Sequence, residues 1–190
     1  MTDLMSYAAR LADVQNSRDL PPVERWDPPY CGEIDLVIRR DGTWVHEGTP
    51  IGRARLVRLF STVLKREGDR HFLVTPVEKL GIEVEDAPFL AVLMRAEGEG
   101  GAQRLAFTTN VGDVVVAGPA HPIECRLDSA TGQRAPYIEV RAGLEARIAR
   151  AVYYDLVTLG QTREAGGAAQ FGVVSDGVFF PLGPAQFDEA

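Results

Sequence analysis

The chain has 190 residues, a formal net charge of −7 and a sequence pI near 5.0, with 45% hydrophobic and 25% charged residues. That composition is a folded chain's, long enough for one good core or two small ones. The acidity disfavours a phosphate-tracking surface, which needs clustered positive charge to displace counterions, so no nucleic-acid partner is expected. No stretch approaches the roughly eighteen apolar residues of a membrane span. Residues 1–15 lack the basic-then-apolar order of a secretory signal, and Cys31 and Cys125 provide no disulfide framework. The expected setting is cytoplasmic, with no membrane partner.

Residues 3–15 place Leu4, Ala8, Leu11 and Ala12 on one face, a short leading helix. Leu20-Pro21-Pro22 and Trp26-Asp27-Pro28-Pro29 then hold the backbone extended, as a linker or wrapping arm with Trp26 as its anchor. Residues 34–39 and 43–46 read as strands around an Asp41-Gly42 hairpin turn. Thr49-Pro50 has the residue types of a helix start. Leu56, Leu59, Phe60, Val63 and Leu64 then form the apolar stripe of a helix over residues 53–65. Residues 71–75 and 81–85 read as strands, and residues 89–94 are almost all apolar, as in a strand with water on neither face. Residues 97–102 read as a glycine-rich hairpin loop between strands, with 104–109 following and 114–116 after that.

A similar order follows: strands at 123–127 and 137–141, then a helix over 144–159 burying Leu144, Ile148, Ala151, Val152 and Leu156. Strands at 171–181 then turn at Ser175-Asp176-Gly177. Laying Arg55-Leu56 over Arg147-Ile148 brings Phe60 over Val152, if the second copy carries extra loop residues around 162–169. The expected fold class is therefore α+β, two tandem related halves, each a helix packed on antiparallel strands. The expected division is an arm at 1–30, a first half at 31–96 and a second at 97–190.

No strong catalytic or cofactor motif is present. Gly98, Gly100 and Gly101 lack the third glycine and following helix of a dinucleotide loop, and there is no Walker lysine or Gly-x-Ser-x-Gly turn. Cys31, His46, His121 and Cys125 have the composition of a zinc site. However, Cys125 alternates with Ile123 and Leu127 on one strand face, and a buried thiol serves as a small hydrophobe, so no metal and no cofactor are expected. Glu78, Glu83, Glu85 and Asp86 crowd a strand end, where carboxylates can act as acid and base. The arginines 53, 55 and 58, and 141, 147 and 150, read mainly as solvated faces. Arg141 stands apart because it precedes the turn at Gly143, with Tyr137 and Glu139 nearby. Tyr153 and Tyr154 cannot share one buried helix face, so one offers its hydroxyl to a groove or interface.

Cys31-Gly32-Glu33-Ile34-Asp35, Pro50-Ile51-Gly52-Arg53, Val74-Thr75-Pro76-Val77-Glu78-Lys79, Val84-Glu85-Asp86-Ala87-Pro88-Phe89 and Pro136-Tyr137-Ile138-Glu139-Val140-Arg141 together carry a resemblance. From about residue 20 to residue 183 the chain resembles the proteobacterial family known as domain of unknown function twelve eighty-five. The resemblance implies tandem structural repeats, small helices clasped by strands, and a part in signalling or ligand binding, with no catalytic residue to carry over.

The leading functional expectation is a binding or regulatory module without a catalytic centre. A small polar or anionic metabolite is expected between the halves, near Glu78, Lys79, Asp86, Tyr137 and Arg141. The alternatives are a small hydrolase or lyase using Glu78, Glu85 or Asp86 with Arg141, and a scaffold binding a protein partner through the arm at residues 20–29.

Overall fold

A computed structural model describes residues 20–128, 130–165 and 167–185. The leading helix expected over residues 3–15 lies outside them. The chain divides after Pro88 into two compact units.

In the first unit the arm is tied down: Pro21, Val23 and Pro28 are buried, and Lys65 Nζ donates to the Trp26 carbonyl at 2.8 Å. The strands are β1 (Tyr30–Ile38), β2 (Trp44–His46), β3 (Thr49–Pro50), β4 (Leu64–Glu67), β5 (Arg70–Val74) and β6 (Lys79–Val84). They form one sheet in the order β3-β2-β1-β6-β5-β4, antiparallel except where β1 and β6 run parallel. Strand alternation buries Ile34, Leu36 and Ile38. Gly42 turns the hairpin at φ 82°, and Asp41 Oδ1 accepts from the Thr43 amide at 2.9 Å. Trp44 stacks on Phe60 with ring centroids 6.5 Å apart, both rings out of solvent.

The first helix is Ala54–Ser61, shorter than the stretch 53–65 read from the apolar stripe. Val63 and Leu64 are buried as expected, but from a turn and from β4. Thr49-Pro50 does not open the helix either. It pairs with β2, Val45 opposite Pro50 and His46 opposite Thr49, on an edge strand where proline's missing N–H is harmless.

The second unit begins with β7 (Phe89–Glu97), read from the sequence as the end of the first half; its partners are β8 (Arg104–Thr109) and β12 (Leu144–Ile148). With β9 (Val114–Val116), β10 (Ile123–Leu127) and β11 (Arg134–Arg141), the sheet order is β10-β11-β12-β7-β8-β9, with β12 and β7 parallel. β13 (Gln161–Ala165), β14 (Ala168–Ser175) and β15 (Val178–Pro184) form a separate antiparallel sheet.

β7 is covered only at its start. Phe89 and Ala91 are buried, whereas Val92 and Leu93 are 45% and 47% exposed. The pairing slips between Ala91 and Leu93, a bulge that breaks the two-residue alternation. The helix expected over 144–159 is a strand followed by a helix, Arg150–Thr158. Ala142 and Gly143 turn at φ 47° and 75°, sending Leu144 back along β11, and Leu144, Ala146 and Ile148 point inward on alternate positions. Nor is 162–169 extra loop: it supplies β13 and the start of β14.

These findings overturn the α+β expectation of a helix packed on strands in each half. The described residues are 53% strand and 14% helix. The Ala54–Ser61 helix buries only Phe60 and Ser61, and Arg150–Thr158 only Val152 and Leu156. Among the described residues no helix is long and apolar enough to cross a membrane. One order does recur: hairpin (β1-β2, then β11-β12), short helix, three-stranded meander (β4-β5-β6, then β13-β14-β15). The meanders are joined differently, since β6 pairs with β1 whereas β15 only lies beside β10.

Candidate functional site

β10 and β11 have two chemically different faces. Ile123, Cys125 and Leu127 lie opposite Ile138, Pro136 and Arg134 on one face; Glu124 and Arg126 lie opposite Tyr137 and Ala135 on the other. The Tyr137 face is closed by its own charges. Arg126 stacks 3.6 Å from the Tyr137 ring centroid and grips both oxygens of Glu145 at 2.8 Å. Arg147 donates to buried Asp128 at 2.7 Å.

The Cys125 face opens on a cleft of about 680 Å³, within the usual range for small-molecule sites. Ile123, Cys125 and Arg134 line one side, Ala168–Gln170 from β14 and Pro181, Gly183 and Pro184 from β15 the other. Burial pushes the Cys125 thiol up to about 11, against the opposing pull of Arg134, so it stays protonated near neutral pH. Tyr153 is half-buried on the Arg150–Thr158 helix, and its hydroxyl is raised first by burial and then by Cys125. Tyr154 is 56% exposed and accepts from Arg150 Nε at 3.0 Å. Of the tyrosine pair, Tyr153 is therefore the one held near Cys125 and Arg134. Arg134 is exposed and, among the described residues, is in no ion pair. The cleft is thus lined mostly by apolar and small residues, with a neutral thiol, the Gln170 amide, one carboxylate at Glu124 and one guanidinium.

The residues singled out from the sequence sit elsewhere. Glu78 closes the β5–β6 turn, where Thr75 Oγ1 accepts from the Val77 and Glu78 amides at 3.3 and 3.1 Å. Lys79 pairs with Glu67 at 2.8 Å and lies 5.2 Å from the Phe72 ring centroid; its hydrogen bond holds the Glu67 carboxyl below its ordinary range. Asp86, beyond the other end of β6, faces Arg40 at 3.8 Å, and Glu85 accepts from the Arg40 amide at 2.9 Å. Glu83 and Glu85 are exposed. Tyr137 is 1% exposed, and Arg141 is engaged by Asp113 at 2.5 Å and by the Phe89 ring, 4.9 Å to its centroid. Glu78, Lys79 and Asp86 belong to the first unit, Tyr137 and Arg141 to the second.

The four zinc-type residues are also divided, Cys31 and His46 in one unit, His121 and Cys125 in the other. Cys31 Sγ donates to the Pro29 carbonyl at 3.4 Å, and His46 and His121 Nδ1 lie 2.8 and 3.1 Å from the Asp35 and Glu139 carbonyls. Among the described residues, no three His, Cys, Asp or Glu side chains converge as a metal site.

Arg134 and Gln170 were missed from the sequence. The strand alternation Arg134, Pro136, Ile138 was available as a signal, but only pairing with β10 aligns Arg134 with the cysteine face.

Residues 21–87 match the N-terminal domain of the DUF1285 domain of unknown function, and residues 88–182 the C-terminal domain of the same family. The chain is 50% identical to a DUF1285 family protein of known crystal structure from Silicibacter pomeroyi DSS-3, with a TM-score of 0.90 over 97% of each chain. A DUF1285 family protein from Shewanella baltica OS155 is 29% identical, with a TM-score of 0.52 over 66% of this chain and 91% of that one. No curated protein matches. With both domain matches in tandem and the Silicibacter protein alike along almost its whole length, the chain belongs to the DUF1285 family.

Proposed function

We propose that this chain is a cytoplasmic ligand-binding module with a regulatory role in signalling, not an enzyme, and that it takes a small molecule in the cleft of its second unit. The observation that carries the reading is Arg134. In an acidic chain, a guanidinium that pairs with no carboxylate among the described residues, beside a preformed and mostly apolar cleft, is a ready counter-charge for a ligand. The nucleophile-like group there, Cys125, is held as a neutral thiol, which favours binding over covalent chemistry. A carboxylate hydrolase has less support, because Glu85 and Asp86 are both engaged by Arg40. A scaffold using the arm is likewise weaker, because Pro21, Val23 and Pro28 are already buried.

The test is a metabolite library screened by thermal shift against the wild type, Arg134→Gln and Arg141→Gln. A ligand at about a hundred times its dissociation constant adds about 2.7 kcal/mol, a rise of roughly 5 to 10 °C for a chain of this size. The reading expects the shift to vanish in Arg134→Gln and survive in Arg141→Gln. The reverse pattern moves the site to the Arg141 side of β11, and no hit at all removes the small-molecule reading.

A further inference from the structure

The cleft also constrains the kind of ligand, and we infer that it is an amphipathic monocarboxylate: one carboxylate head for Arg134 and an apolar body, flat or aliphatic, laid between the sheets. This rests on the binding reading above and narrows it.

The first constraint is charge. Arg134 is the cation of the lining and Cys125 is neutral; the one carboxylate of the lining, Glu124, belongs to the opposite face of β10. A single guanidinium matches one carboxylate bidentately. A phosphate ester or a dicarboxylate would bring a second negative charge for which the lining holds no second cation.

The second constraint is the supply of hydrogen-bond donors. Pro122, Pro181 and Pro184 have no N–H, so at these three points of the lining the backbone offers no amide of the kind that cradles phosphates. The same prolines argue against an added peptide strand. On the edge strand β15, Pro181 and Pro184 remove donors that strand addition uses. A small molecule is favoured over a peptide.

The third constraint is shape. Ala168, Ala169 and Gly183 project almost nothing from the wall opposite Ile123 and Cys125, leaving room for a ring or short alkyl chain. Burial of such a body is the main favourable term available there.

The test uses the full chain in isothermal titration with benzoate and octanoate, their neutral amides, inorganic phosphate and adenosine monophosphate. Arg134→Gln should fold, because the side chain is exposed; Arg58→Gln, an exposed change in the first unit, is the control. The expected result is binding of at least one carboxylate, weakened tenfold or more both in its amide and in Arg134→Gln, and unchanged in Arg58→Gln. If phosphate or the nucleotide binds in an Arg134-dependent way and the carboxylates do not, the ligand class is wrong while the cleft reading stands. Carboxylate binding that is equal in wild type and Arg134→Gln removes this site. Absence of binding by every probe, together with an empty library screen, overturns both readings.

Discussion

Asp128→Ala is expected to be the most damaging charge removal on the face of β10–β12 that carries Tyr137. The Asp128 side chain is 1% exposed and that of its partner Arg147 23%, with the pair 2.7 Å apart. Oδ1 of the same carboxylate accepts from the Ala130 and Thr131 amides at 2.9 and 3.3 Å, so it also fixes the turn into β11. Truncation takes a close carboxylate partner from a mostly buried guanidinium and the acceptor from two turn amides. Breaking one side of a buried pair costs about 3 to 5 kcal/mol, which for a chain of this length lowers Tm by about 6 to 20 °C. Asp128→Asn keeps an acceptor for the turn and should lose less, about 1.5 to 3 kcal/mol, the range for a charge-assisted hydrogen bond. The assay is urea and thermal unfolding followed by circular dichroism, with Arg147→Met and the double variant completing a mutant cycle. The cycle should return coupling of at least about 1 kcal/mol. A loss below about 1 kcal/mol for Asp128→Ala, with no coupling to Arg147, would refute the reasoning, because it would mean that water already screens the pair.

Phe60→Ala should cost about 3 to 5 kcal/mol by urea titration, because the ring is fully buried against Trp44. Gly172→Ala and Gly183→Ala should separate sharply in Tm. An added Cβ at Gly172 would sit 2.3 Å from the Phe180 carbonyl oxygen, and overpacking against backbone costs about 1 to 3 kcal/mol or more. Gly183 has nothing within 4 Å of that position, and its substitution should stay within about 0.5 kcal/mol. Cys125, with its thiol at about 11, should react with iodoacetamide at pH 7.5 about 300-fold more slowly than an ordinary thiol, as read by peptide mass spectrometry. The unfolded chain gives up that proton first, so stability should fall as pH rises from about 9 towards 11, and Cys125→Ala should flatten the fall. Arg141→Ala should destabilise through loss of Asp113 and the Phe89 ring, about 1 to 3 kcal/mol, while leaving ligand affinity in the cleft unchanged.

Turns set by glycine were readable because their chemistry is local. Gly42, after Asp41, and the pair Asp176-Gly177 occupy the left-handed backbone that their residue types favour, at φ 82° for Gly42 and 49° and 77° for the pair. The helix lengths were not readable. Leu144 and Ile148 are four residues apart, a spacing that keeps two side chains on one face of a helix and equally on one face of a strand. Ala146 decided the matter, since it is fully buried between them, as a strand requires and a helix does not. Leu56, Leu59, Phe60, Val63 and Leu64 posed the same ambiguity in the first unit. There the spacing continues past Ser61 while the backbone changes from helix to strand. Burial was foreseen for most of these residues, while the element that buries them depended on sheet partners distant in sequence.

The site was less legible for a different reason. Charged residues near element ends attract attention in a sequence, yet an element end is also where neighbouring strands can supply a counter-charge. Arg141 finds Asp113, Lys79 finds Glu67 and Asp86 finds Arg40. Arg134 draws no such attention, lying at the start of a strand in an unremarkable Gln-Arg-Ala-Pro run. Among the described residues it is in no ion pair, because the wall across the cleft is alanine, glycine, glutamine and proline and carries no carboxylate to meet it. Ala168, Ala169, Pro181, Gly183 and Pro184 look like filler in the sequence, but their lack of charge and bulk keeps the cleft open and leaves the guanidinium available to a ligand.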